Sequence, residues 1–149
     1  MVIVNRRSAL SIGSVGLAAA AASPLLLLAP PVWADMAPTY GPTDGVEMSP
    51  GVRWVELGEV ESQIAAYSKV MFGDAIYQPD AIDPIDQPVM DNDMFCYILQ
   101  SDFEISKAGL APYMVKAGQA YTCGKGKTDR GHNVGSGIGI MRVSIFMPA

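Results

Sequence analysis

From Val52 onward the apolar residues fall in short clusters that alternate imperfectly with polar ones, and Gly, Pro or Asp separates each cluster from the next. Alternation at a period of two marks a strand with one buried face, whereas a helix repeats about every 3.6 residues. The pattern predicts strands over Val52–Leu57, Ile64–Tyr77, Met94–Ser106, Ala111–Lys116, Gln119–Cys123 and Gly139–Phe146. Gly73-Asp74 within the second run predicts a turn or bulge. Residues 78–89 carry Pro79, Pro84 and Pro88 among Asp80, Asp83 and Asp86, which predicts a loop, because proline cannot donate to a strand ladder. A short helix competes only over Glu59–Lys69. Short strands with Gly and Pro turns and almost no helical period predict an all-β fold, an antiparallel sandwich or barrel.

The segments before Val52 read differently. Residues 35–51 (DMAPTYGPTDGVEMSPG) are rich in Pro and Gly without a period, which predicts an extended N-terminal arm. Met36, Tyr40 and Met48 suit an arm lying on a surface better than a free linker. Residues 1–34 combine Arg6-Arg7, an uncharged Ala/Leu-rich run and a Val32-Trp33-Ala34 exit. A basic start, an apolar middle and small residues at the exit describe an export signal of the twin-arginine type, cut near Ala34. The uncharged run is long enough to span a bilayer, but its prolines, glycines and exit favour cleavage over an anchor. The predicted organisation is therefore a signal over 1–34, an arm over 35–51 and one β domain over 52–149, located in the periplasm with no stable membrane span after cleavage.

Charge narrows the choice of partners. The chain has 10 Lys+Arg against 15 Asp+Glu. Cutting after Ala34 removes Arg6 and Arg7 and no acid, leaving 8 basic and 15 acidic residues, a net charge of −7. Nucleic acid and anionic lipid both need clustered positive charge, so neither is an expected partner. Cys96 and Cys123 both lie in the retained part. In an oxidising compartment they would pair as a disulfide, or folding before export would leave them as buried thiols.

A longer pattern lies over these elements. Tyr97-Ile98-Leu99-Gln100-Ser101 and Ala117-Gly118-Gln119-Ala120-Tyr121-Thr122-Cys123, with Gly126, Asp129 and Asn133 beyond, resemble the strand-turn-strand motifs of the cupin superfamily. The resemblance covers about sixty residues, from the Pro88 region to Phe146. It implies a cupin-like antiparallel β-barrel, or jelly roll, and an expected homodimer formed through open strand edges. It places Gly118, Gly126 and Asn133 at the glycines and asparagine of the second motif. It also implies a metal held by a His-x-His-x-x-x-Glu run and a later His, but here those places are taken by Pro88, Met90, Met94 and Asp129. A three-imidazole site is excluded in any register, because His132 is the chain's one histidine. No cofactor is expected; the alternative is a single transition metal at a non-standard site.

Other residue groups carry weaker chemistry. Asp91 and Asp93 in Met90-Asp-Asn-Asp-Met94 would offer oxygens to Ca²⁺, but the run lacks the glycine and distal glutamate of a calcium loop. Thioethers of Met90, Met94 and Met114 or Met141 would suit Cu(I), although methionines also fill barrel interiors. Tyr121 to Thr128 nearly spells a phosphate loop, but its first glycine is missing and no helix follows. Lys125, Lys127, Arg130 and His132 form a basic cluster that would hold a carboxylate if it faces the barrel mouth.

The expected function is thus an exported binding protein for a small aromatic or anionic molecule. Asp129, Arg130, His132, Tyr97 and Tyr121 are its expected contacts. One alternative is a dioxygenase- or isomerase-like enzyme in which Asp129 and His132 act as acid and base. Another is an accessory subunit of a larger periplasmic protein, docked through the arm.

Overall fold

The computed structural model describes residues 37–86 and 88–149. The predicted signal and the first two arm residues lie outside the described residues. The strands are β1 (Val46–Ser49), β2 (Val52–Glu61), β3 (Tyr67–Tyr77), β4 (Ile82–Asp83), β5 (Asp93–Gln100), β6 (Phe103–Ser106), β7 (Tyr113–Val115), β8 (Ala120–Cys123), β9 (Arg130–Asn133) and β10 (Gly139–Pro148). Every described strand pairing is antiparallel. Six strands form one sheet in the order β1-β2-β3-β10-β5-β8, and four form a second in the order β4-β9-β6-β7. The result is a jelly roll. No helix occurs among the described residues.

The long strands β2, β3, β10 and β5 set the inner wall. Their register lines up Ala75, Met141 and Ile98 in one row across the sheet, Gly73, Val143 and Cys96 in the next, and Met71, Ile145 and Met94 in a third. Side chains two apart share a face, so these rows all point toward the second sheet. Val52, Tyr77, Ile98, Phe103, Ile105 and Val115 close the other end with a packed core. There Phe103 meets the Tyr77 ring edge-on at 5.0 Å. Gly139 makes room for this contact, since a Cβ there would stand 2.7 Å from Phe103 Cζ.

Four local expectations change. Glu59–Glu61 are strand, not helix, because the Glu-rich end of β2 pairs residue for residue with β3. The Gly73-Asp74 break is absent, and the register shift lies opposite, between Glu56 and Gly58 of β2. The arm is shorter than 35–51: Val46–Ser49 form β1, although largely exposed, because β2 supplies the ladder hydrogen bonds. Residues 130–133 form β9, and Ile82-Asp83 of the proline-rich loop pair with it as β4.

The motif residues Gly118, Gly126 and Asn133 each hold a turn or loop in place. Gly118 and Gly126 adopt φ of 83° and 77°, a region that side chains strongly disfavour. Asn133 is fully buried. Its Nδ2 donates to the carbonyls of Gln78 and Gly137 at 3.0 and 2.9 Å, and its Oδ1 accepts from Ser101 Oγ at 2.7 Å. One buried amide thereby ties three loops at the closed end.

Candidate ligand-binding cavity

A cavity of about 520 Å³ opens between the sheets next to this packed core. The six-stranded sheet contributes Trp54 from β2, Met71 and Ala75 from β3, Met94 and Cys96 from β5, Tyr121 from β8, and Met141, Val143 and Ile145 from β10. Across from them stand Asp83, Pro84, Pro88, Met90, Asp129 and Gly131. Met48 lines the cavity while remaining exposed, which places it at the mouth. Trp54 can lie flat in the wall only because residue 73 is glycine: a Cβ there would run into the indole.

The four residues that replace the metal ligands of the resembling motif, Pro88, Met90, Met94 and Asp129, all line this cavity. They do not fit the metal. Pro88 has no donor, thioethers are soft and neutral, and no group of three His, Cys, Asp or Glu among the described residues converges on one point. Asp91 does not line the cavity. Asp93 is turned away, accepting from Tyr67 Oη at 2.7 Å and from the Lys125 amide at 2.7 Å.

Asp129 is the polar centre of the site. Tyr121 Oη lies 3.2 Å from its Oδ2 and also 3.5 Å from Met141 Sδ. Burial pushes the Tyr121 hydroxyl well above the usual phenol range, so it stays a neutral donor. Lys107 approaches from the other side of Tyr121. Its Nζ donates to the Thr122 carbonyl at 2.8 Å and sits 5.1 Å above the Tyr121 ring. It comes within 3.4 Å of Asp129 Oδ1. That distance gives charge attraction but not an aligned hydrogen bond, and Oδ1 has no hydrogen-bond partner. Desolvation raises the Asp129 pKa above the ordinary carboxyl value, against the pull of Lys107 and Tyr121. Asp83 is raised for the same reason, with a Ser49 hydrogen bond opposing it.

The structure brings together only some of the predicted contacts. Asp129 and Tyr121 line the cavity, but Arg130, His132 and Tyr97 do not. The reason is strand pleat: Gly131 lines the cavity, so its neighbours Arg130 and His132 face out, and Tyr97 lies between the inward Cys96 and Ile98. His132 Nε2 instead meets Asp80 at 2.8 Å, away from Asp129, so no acid–base pair forms between Asp129 and His132. Cys96 and Cys123, expected either as a disulfide or as buried thiols, are free and buried in the structure. They sit diagonally across β5 and β8, since Cys96 pairs with Tyr121 and Cys123 with Met94. Sequence reasoning missed Asp83, Tyr77 and Met71 as lining residues. Asp83 had no signal in a proline-rich run, and Met71 becomes inward only through its register with Ile145.

Comparison with solved structures returns this architecture. The oxalate oxidase structure in complex with glycolate aligns with a TM-score of 0.55 at 18% identity, over 71% of this chain and 57% of that one. A Cupin 2 conserved barrel domain protein from Salinispora arenicola aligns at 0.54 and 13% identity, over 74% and 89%. KdgF from Halomonas sp. aligns at 0.52 and 12%, over 68% and 84%. No family model matches the chain, and no curated protein matches it.

Proposed function

The chain has the cupin fold, and from that premise we propose that it is an exported binding protein that holds a small, mostly apolar aromatic molecule in its cavity without the metal of the resembling motif. The observation that carries this reading is the coincidence of places. The four positions where the motif would hold a metal instead line an apolar cavity with one buried carboxyl, Asp129. Cavities of this volume, with hydrophobic walls and few polar groups, suit small organic ligands. The aromatic faces of Trp54, Tyr77 and Tyr121 favour an aromatic body. An anionic ligand finds no cation among the described lining residues, because Arg130 and His132 face away. Export rests on the signal pattern of residues 1–34. The enzyme alternative loses its acid–base pair, and Tyr40 of the arm binds this chain's own sheet, so neither it nor docking through the arm is favoured by an observation.

Two measurements test the reading together. Protein purified from the exported fraction is expected to lack stoichiometric Fe, Mn, Ni, Zn and Cu by elemental analysis. Trp54 lines the cavity, so its emission is expected to change saturably with small aromatic compounds. Stoichiometric metal, or no response to any of them, would refute the proposal.

A further inference from the structure

Tyr77 ends β3 where the packed core meets the cavity. Its ring belongs to the core, edge-on to Phe103, while the residue also lines the cavity wall. The hydroxyl reaches across to the second sheet: a Cβ at Gly131, a lining residue of β9, would stand 3.3 Å from Tyr77 Oη. Glycine at 131 keeps the place in front of the hydroxyl open. Tyr77 is only 4% exposed, yet among the described residues no group hydrogen-bonds its hydroxyl. That oxygen is not sealed off either, because the one described side-chain polar atom both closed off and without a partner is Asp129 Oδ1. The Tyr77 hydroxyl therefore keeps accessible surface, and the space it faces is the cavity. Burial, and then the nearby Asp83, Cys96 and Asp129, push this hydroxyl well above the usual phenol range, so it keeps its proton and acts as a donor. Buried tyrosine hydroxyls normally have a partner, and a donor left unmet beside an open volume calls for an acceptor on the occupant. The charged side chains of the wall are Asp83 and Asp129, with no basic one among the described lining residues, which disfavours an acceptor that is itself negative.

We propose that the occupant is a neutral aromatic carbonyl compound whose oxygen accepts a hydrogen bond from the Tyr77 hydroxyl in the gap beside Gly131. This rests on the ligand-binding reading above and adds the one polar contact that orients the molecule. A carbonyl meets the donor without bringing an O–H of its own that would need an acceptor in an apolar wall. A carboxylate would also accept, but it would enter a wall that holds two carboxyls and no cation among the described residues. The aromatic body lies against the apolar rows of β3, β10 and β5.

Calorimetric titration of the purified protein with three probes of one shape tests this: acetophenone, α-methylstyrene and benzoate. They carry a carbonyl, a methylene in its place, or a carboxylate on the same ring. Acetophenone is expected to bind about tenfold more tightly than α-methylstyrene, the effect of one hydrogen bond to an otherwise unmet donor, with benzoate weakest. Tyr77→Phe is expected to bring acetophenone down to the hydrocarbon's affinity. It is also expected to keep the melting temperature of the unliganded protein, because the hydroxyl has no partner to lose; a hydroxyl with a merely structural role would lower it. Gly131→Ala, which crowds the gap, is expected to narrow the preference for acetophenone too, and it keeps the test alive if the first variant fails to fold. A preference that survives Tyr77→Phe, equal affinity for α-methylstyrene, or benzoate as the tightest probe would overturn the carbonyl inference while leaving cavity binding intact. Failure of all three probes would overturn both.

Discussion

Arg142 and Asp74 form a two-pronged ion pair on the outer face of the large sheet: Nε reaches Oδ1 at 2.8 Å and Nη2 reaches Oδ2 at 2.9 Å. Asp74 is fully buried, and Tyr40 of the arm donates a third hydrogen bond to it at 2.6 Å. Arg53 holds the same arm by its carbonyls, donating to Asp44, Thr43 and Gly45. The arm therefore packs against the outer face while the cavity occupies the inner one. Arg142→Ala leaves Asp74 buried with a single donor, and a loss of about 1–3 kcal/mol is expected in urea unfolding. Tyr40→Phe is expected to lose about 1 kcal/mol and to make residues 37–45 more sensitive to protease. Unchanged stability of the Arg142 variant would show that the pair contributes nothing.

Asp129 predicts a pH dependence. Burial raises its folded pKa above the unfolded value near 3.8. The folded state then binds the proton more tightly, so the group's stabilisation is complete below the unfolded pKa and is lost as pH rises through the folded one. The melting temperature of the native protein, relative to Asp129→Asn, is expected to be highest at acid pH and to decline as the carboxyl ionises. A difference that grows with pH would show that the Lys107 ion pair outweighs desolvation.

Gly73 is required by Trp54. Gly73→Ala places a methyl where the indole lies, and the expected cost of overpacking is about 1–3 kcal/mol. Trp54 emission is expected to shift to the red as the ring is displaced toward water. An unshifted spectrum with native stability would mean that the ring has another place in the wall.

Cys96 and Cys123 are buried, and burial raises both thiols, Cys96 up to about 12. The thiolate is the reactive form, so native protein is expected to resist iodoacetamide at neutral pH. Two alkylations per chain are expected by intact mass after denaturation without a reductant. A mass showing none, restored to two by reductant, would establish a disulfide in the purified protein.

The jelly roll was largely legible because alternation, glycine turns and prolines are local properties. The histidine count is equally local: one histidine cannot make three imidazole ligands. The placement of Pro88, Met90, Met94 and Asp129 was legible through their motif positions, and all four line the cavity. Strand β1 and strand β9 were not legible, because exposed or Gly-containing segments become strands only when a neighbour supplies the ladder.

By itself, then, the sequence determined an acidic all-β chain whose single histidine cannot make a three-imidazole site. Only the tertiary structure decided which side chains face the cavity. A strand turns successive residues to opposite faces, so one step in register separates Asp129 inside from Arg130 outside. The outcome left two carboxyls in an apolar cavity and moved the basic cluster out of it.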